Sequence, residues 1–137
     1  MKILFDTNII IDIILKRTPF FQNSSKVFEL IGTQNIKGFI TASSLTDIYY
    51  ISRKKTDHRT TISFITSLIQ TVDVINTNKD TIILALHTDF ADFEDAVQAA
   101  SAELNHIDLI ISRNTKDFSK SKVKALTPTE FIEKYNK

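Results

Sequence analysis

The chain has 137 residues, the length of one ordinary domain that can bury a hydrophobic core without a disulfide or a structural metal. It has no cysteine, which excludes disulfides, thiolate metal sites and a cysteine nucleophile, and its 17 basic and 16 acidic residues leave a net charge of +1. The chain therefore lacks the overall basic excess that is typical of nucleic-acid-binding proteins. The N-terminal region lacks a signal-peptide pattern and every apolar run is too short for a bilayer, so we expect one domain over residues 1–137 that is soluble, cytoplasmic and not bound to a membrane.

Apolar runs predict five strands. They lie over residues 2–5, 37–42, 72–75, 107–112 and 123–126. Segments with helical periodicity separate these strands, so the connections are expected to cross over and the sheet to be mostly parallel. The pattern therefore predicts an α/β fold.

Helix starts must be inferred from capping residues, because the chain contains only two glycines and two prolines. The first helix is expected directly after the acidic turn at Asp6. The predicted caps of the later helices are, in chain order, Asn23 or Ser24, Ser43 or Ser44, Asp57 or Thr60, Thr77, Asp92, and Thr127 before Pro128.

Carboxylates recur at the boundaries of the predicted elements. Asp6 follows the first strand, Asp47 lies in the first turns of the third helix, and Asp117 follows the fourth strand close to Asn114. A cluster of acids at residues 92–95 opens a later helix, where one acid would suffice as a cap. Alone, Asp6 and Asp47 have ordinary roles as a helix cap and as a charge near a helix N-terminus. As a group, however, the acids lie at the edges of the predicted elements, and Asp6 and Asp117 follow strand ends, where α/β sheets bind ligands.

The type of these residues indicates a metal site. Asp95 is the clustered acid that we expect to turn inward, because an alanine-rich face follows it and lets its helix pack close to the sheet. The histidines, His58, His87 and His106, are scattered. Gathered carboxylates repel one another unless a divalent cation neutralises them, and Mg²⁺ or Mn²⁺ prefers oxygen ligands. Such metals suit phosphodiester hydrolysis, since they activate water and stabilise charge on the leaving oxygen.

Four segments, in this order, resemble a PIN domain of the kind found in VapC-type toxins. They are Asp6-Thr7-Asn8, the Thr46-Asp47 pair, residues 92–102 (DFEDAVQAASA) and residues 111–118 (ISRNTKDF). The resemblance covers nearly the whole chain, and four weak motifs at these intervals make it specific. It implies a three-layer α/β/α sandwich around a mostly parallel sheet and a Mg²⁺- or Mn²⁺-dependent endoribonuclease acting on RNA. It further implies an antitoxin partner and a homodimer, both common in the family.

The motif match also implies the site residues. Asp6, Asp47 and Asp95 take the principal acidic positions and hold the metal. Asp47 is one methylene shorter than the Glu often found at its position in the family, so it contacts the metal directly or through water. Asn114 stands where many relatives carry Asp, with Asp117 nearby, and the missing charge weakens a second metal site. The expected catalytic group is therefore Asp6, Asp47, Asp95, Asn114 and Asp117 around a single metal.

Candidates for contacts with the substrate are fewer. Thr7, Asn8 and Arg113 are the expected substrate-binding residues, and Arg113 is preferred because it lies at the predicted sheet edge. Two groups of basic residues, within 53–59 and 116–124, are open to two interpretations, phosphate contacts or ordinary solvated surface.

Three residues of the predicted helices keep two interpretations. Tyr49 and Tyr50 can stack on bases, although their helical spacing places at least one of them in the core. Asp12 lies four residues after Asn8 and so near the same face of the first helix. We expect Asp12 to support the site or to cap a neighbouring backbone, and not to bind metal.

Two other functions remain open at this point. In a receiver-like signalling domain, clustered acids hold Mg²⁺ and a phosphoryl group. Such a domain has adjacent acids after its first strand and a lone acceptor Asp after a middle strand, and this chain lacks that arrangement. An inactive PIN-like RNA-binding module is the third possibility, which the uncharged Asn114 keeps open.

Overall fold

The sheet is parallel throughout the part of the chain that the structure describes. The structure, a computed structural model, describes residues 1–33 and 35–136. Its strands are β1 (Lys2–Phe5), β2 (Lys37–Thr41), β3 (Asp73–Ile75), β4 (Leu109–Ile111) and β5 (Lys124–Leu126). They pair in the order β3-β2-β1-β4-β5, every pair parallel. The predicted α/β fold with a parallel sheet is confirmed.

Helices cover both faces of this sheet. They are α1 (Thr7–Ile14), α2 (Phe21–Glu29), α3 (Ala42–Arg53), α4 (His58–Thr71), α5 (Lys79–Leu86), α6 (Phe93–Leu104) and α7 (Pro128–Tyr135), with a short 3₁₀ helix at Thr115–Phe118. Side chains alternate across β1, so Ile3 and Phe5 join one hydrophobic cluster and Leu4 joins another. The first cluster contains residues of α1 and α3, and the second contains alanines of α6. The fold is therefore the expected α/β/α sandwich.

Three of the predicted helix caps are wrong. The chain already turns before α2, where the Phe21 N–H donates to the Arg17 carbonyl at 2.7 Å, so the helix needs no side-chain cap and Asn23 and Ser24 lie inside it. Thr41, and not Ser43 or Ser44, caps α3. Asn78, and not Thr77, caps α5, because its side chain accepts the N–H of Thr81 at 3.1 Å.

The other predicted caps are confirmed. Asp57, Asp92 and Thr127 accept N–H groups in the first turns of α4, α6 and α7, and Pro128 opens α7. No helix within residues 1–33 and 35–136 is long and apolar enough to cross a membrane.

The topology places one crevice at the centre of the sheet. From β1 the chain crosses to β2 on one side, and β4 lies on the other side of β1. Ligands of open α/β sheets bind outside the carboxyl ends of the strands at such a switch point. At this edge the Asp6 N–H donates to the Ile111 carbonyl at 2.9 Å, which ties the end of β1 to the end of β4.

Candidate active site

The carboxyl ends of the strands open into a cleft of about 350 Å³. Acids and amides dominate its lining. The lining residues are Asp6, Thr7, Asn8, Ile11, Arg17, Asp47, Ile51, Glu94, Asp95, Gln98, Asn114 and Asp117. All five residues expected to be catalytic line this cleft, as do two of the three expected to bind substrate. Their roles remain predictions, but distant segments of the chain bring them to one place.

Asp6 is nearly buried at the centre of the site. Its exposed fraction is 9%, and its carboxylate accepts the Thr7 N–H at 2.8 Å and the Ser112 hydroxyl at 2.7 Å. Burial raises the pKa of Asp6 and the hydrogen bond from Ser112 opposes that rise. Ser112 also accepts the N–H of Asn114 at 3.1 Å, so one buried hydroxyl connects Asp6 to the segment after β4. Asp6 thus caps α1 and lines the cleft at the same time.

Asp47 meets a second acid that the sequence did not single out. A hydrogen bond with Asp47, then burial and the charge of Asp47, together raise the pKa of Glu94 to about 7. Two carboxylates in contact cannot both ionise cheaply at short range, which favours the protonated form of Glu94. Glu94 precedes Asp95 in the cluster that opens α6, and three acids in one turn were its only signal in the sequence.

Asp95 extends from α6 into the cleft. The capping task belongs to Asp92, whose carboxylate accepts the Asp95 N–H at 3.0 Å, so the Asp95 side chain lines the cleft. Burial, and to a smaller extent the charges of Asp6, Asp92 and Asp117, together raise the pKa of Asp95 to about 7. Asp95 is therefore protonated over much of the range in which an isolated aspartate is charged.

Asn114 and Asp117 form the side of the cleft nearest β4. Asn114 directly precedes the 3₁₀ helix and its side chain does not cap that helix, while Asp117 lies within it. Both side chains are exposed. The charge of Asp117 raises the pKa of Asp6 as well as that of Asp95, so Asp117 lies close enough to act electrostatically in the site.

Arg113 has a different environment from its neighbours. Its Nε lies 2.7 Å from Oδ2 of the fully buried Asp12, and its guanidinium stacks over the Phe20 ring at 4.2 Å. Burial raises the pKa of Asp12, and Arg113 and then Arg17 oppose that rise. Arg113 is absent from the cleft lining, whereas Arg17, which the sequence analysis missed, lines the cleft and lies 3.9 Å from Asp12. Asp12 thus supports the site region by pairing with both arginines.

The two tyrosines of α3 differ in exposure. The hydroxyl of Tyr49 hydrogen-bonds Nδ1 of His58 at 2.8 Å, and Arg53 lies over its ring. Tyr50 is 60% exposed and follows Asp47 by three residues, which places it on the same side of α3 as the cleft. Tyr50 is therefore the better candidate for contact with a base.

The donor atoms in the cleft fit a hard divalent cation. All candidate ligands are carboxylate or amide oxygens, and the buried Oδ1 of Asn8 has no hydrogen-bond partner among the described residues. Crowded acids with raised pKa values gain most from a cation, because it offsets their mutual repulsion. Across residues 1–33 and 35–136 no three acidic or histidine side chains are already arranged to hold an ion. Binding would therefore require the carboxylates to rotate toward the ion.

A family model, a related sequence and two solved structures place this architecture among known proteins. The PIN domain family model matches residues 2–116. Ribonuclease VapC1 of Aquifex aeolicus (strain VF5) is 26% identical over 140 residues, which cover 98% of this chain and 96% of that protein. One solved structure contains VapBC2 from Rickettsia felis bound to a DNA fragment from the promoter of these proteins. A chain of it aligns with a TM-score of 0.75 at 15% identity, covering 93% of this chain and 98% of that one. A chain of a toxin-antitoxin complex from Klebsiella pneumoniae aligns with a TM-score of 0.70 at 24% identity, covering 91% and 96%. Because the family model spans most of its length, this chain belongs to the PIN domain family.

Proposed function

We propose that the protein is a metal-dependent endoribonuclease that hydrolyses RNA phosphodiester bonds with Mg²⁺ or Mn²⁺. The observation that carries the proposal is the cleft that gathers acids from the turn after β1, from α3, from α6 and from the 3₁₀ helix, where burial and neighbouring acids raise the pKa values of Glu94 and Asp95 to about 7. Carboxyl groups with pKa values near neutral pH can release their protons when a cation binds. The similarity to a protein named Ribonuclease VapC1 supports RNA as the substrate.

Each side chain of the cleft has a task in this proposal. Asp6, Asp47 and Asp95 would hold the cation, which supplies water activation and charge stabilisation at the phosphate when bound. Ser112 fixes the orientation of Asp6 through its 2.7 Å hydrogen bond. Arg17 lines the same cleft and is the cation of the chain best placed to contact an RNA phosphate there.

The partner proteins also belong to the proposal. A chain of this fold occurs in the solved toxin-antitoxin complex from Klebsiella pneumoniae, which supports a toxin role with an antitoxin as inhibitor. A homodimer remains a prediction from the family resemblance. Light scattering of the purified chain, and its co-purification with the product of a neighbouring reading frame, test the two associations separately.

The two alternative functions differ from this one in observable ways. Receiver domains of the doubly wound class have the strand order 2-1-3-4-5. The order here is 3-2-1-4-5, which argues against a receiver. An inactive RNA-binding module would have the same fold but would bind RNA without cutting it.

An RNA cleavage assay tests the proposal. The wild type is expected to cut single-stranded RNA with Mn²⁺ or Mg²⁺ and to stop when EDTA is added. Asp6→Asn and Asp95→Asn are each expected to abolish cleavage while the folded state persists, because Asn keeps the shape of Asp and its capping ability but not the charge. Asp73→Asn, on the exposed edge strand β3, is the matched control. Binding of RNA without metal-dependent cleavage would identify the inactive module instead.

A further inference from the structure

A buried hydrogen-bonded node joins three segments of the site. Nε2 of Gln98 donates to the Ser44 hydroxyl at 2.6 Å and lies 3.5 Å from the Thr7 hydroxyl. The Thr7 and Ser44 hydroxyls are 2.8 Å apart, and Ser44 also meets the Thr41 hydroxyl at 2.9 Å. The Ser44 hydroxyl has one donor and two acceptor positions, so these three contacts use its full capacity.

Each member of the node is close in sequence to one of the three principal acids. Thr7 directly follows Asp6. Ser44 precedes its acid by three residues on α3, and Gln98 follows its acid by three residues on α6. Residues three apart on a helix share a face. The node therefore lies about one helical turn from the acids of α3 and α6 and beside the acid of the β1–α1 turn.

Stability alone does not account for the amide of Gln98. The side chain is only 4% exposed, and its Oε1 has no hydrogen-bond partner within residues 1–33 and 35–136. A buried acceptor left unpaired costs free energy, and an apolar side chain of similar length would avoid that cost. What the amide provides is a directed contact from α6 to α1 and α3, which themselves pack on each other.

We propose that Gln98 is a positioning residue that holds the segments of Asp6, Asp47 and Asp95 at the separation which a divalent cation requires. The inference rests on the proposed metal site. The proposed role of Gln98 acts through the backbone of the three segments and requires no contact of its side chain with the cation or the RNA. It is expected to act as the outer hydrogen bonds of metal sites do, whose loss lowers metal affinity or activity about 10- to 100-fold.

Mn²⁺ binding to the RNA-free protein, measured by calorimetry, provides the test. Gln98→Met keeps the length and burial of the side chain and removes both its donors and its unpaired oxygen. Ser44→Ala breaks the same node from α3. Ser101→Ala is the matched control, since Ser101 is fully buried on α6 one turn after Gln98 and lies outside the node.

The expected result is a Mn²⁺ dissociation constant raised about 10- to 100-fold in Gln98→Met and in Ser44→Ala, with Ser101→Ala like the wild type. Because both substitutions break one node, Gln98→Met combined with Ser44→Ala should lose little beyond either single change. Thermal unfolding in EDTA should show Gln98→Met at least as stable as the wild type. In cleavage assays the kcat should fall while the KM for RNA stays near its wild-type value.

Two outcomes overturn the inference, and they differ from failure of the proposed function. Wild-type Mn²⁺ affinity in a folded Gln98→Met protein would refute the positioning role. If Gln98→Met does not fold, wild-type affinity in Ser44→Ala refutes it equally. A wild-type protein that binds no Mn²⁺ would overturn the metal-dependent function itself.

Discussion

Replacing Asp95 by Asn is expected to stabilise the metal-free protein at high pH while removing its response to Mn²⁺. In the folded protein the pKa of Asp95 is raised from 3.8 to about 7, so the folded state holds a proton that the unfolded chain releases. Its contribution to stability is fully present below pH 4 and is lost as the pH rises toward 7 and above. The full shift corresponds to about 4 kcal/mol. Since the side chain is partly exposed, solvent screening reduces the expected gain for Asn to roughly 1–2 kcal/mol at pH 8.

Urea unfolding in EDTA at pH 4 and pH 8 measures this effect. Asp95→Asn should be more stable than the wild type at pH 8, and the difference should shrink at pH 4. Mn²⁺ at pH 8 should reverse the order, because only the wild type gains binding free energy. Asp73→Asn should change stability by less than about 0.5 kcal/mol at either pH. If Asp95→Asn is no more stable than the wild type at pH 8 in EDTA, burial and the neighbouring acids do not penalise the Asp95 charge, which contradicts this prediction.

Three further predictions test other parts of the site. Asn114→Asp should strengthen Mn²⁺ binding in calorimetry, and Asn114→Ala should lower kcat. If only Asp117→Ala has an effect, Asp117 and not Asn114 is the site residue of this segment. Arg113→Gln should lower the free energy of unfolding in urea by about 3–5 kcal/mol, because it leaves the buried Asp12 charge without its closest partner. Adding Asp12→Asn should restore much of that stability. An unchanged urea midpoint in Arg113→Gln would show that the ion pair does not stabilise the fold. Tyr50→Ala should raise the KM for RNA roughly fivefold or more through lost stacking while kcat is unchanged, and an unchanged KM would place the substrate elsewhere.

The fold and the principal acids follow from local patterns in the sequence. Apolar strands alternate with helices, and parallel strands bring their carboxyl ends to one edge. That rule predicts Asp6 and Asn114 at the same edge of the sheet, and the pairing of β1 with β4 in the structure makes them neighbours there. The failed caps of α3 and α5 have a simple cause: Thr41 and Asn78 lie within two residues of the predicted caps, and local sequence does not decide between capping side chains that are so close.

The contacts between side chains of distant elements could not be predicted in this way. Arg17 reaches the cleft because Lys16 adopts a φ of 50°, which folds the chain back on α1, and no glycine marks that turn. Arg113 adjoins Asn114 in sequence but pairs with Asp12. A fully buried carboxylate without a positive partner is costly, so the ion pair is favoured over exposure of Arg113 at the sheet edge. The contact of Glu94 with Asp47 depends on how closely α6 approaches α3. Such pairings are set by packing geometry and not by spacing in the sequence.

Anomalous diffraction from crystals soaked in Mn²⁺ tests the central claim most directly. We predict an ion in the cleft with carboxylate oxygens of Asp6 and Asp95 within roughly 2.5 Å and Asp47 bound directly or through one water. The side chains must rotate to reach it, since the described residues hold no three acids already arranged around an ion. A cleft that remains empty at saturating Mn²⁺, or an ion bound only elsewhere on the protein, would contradict the account.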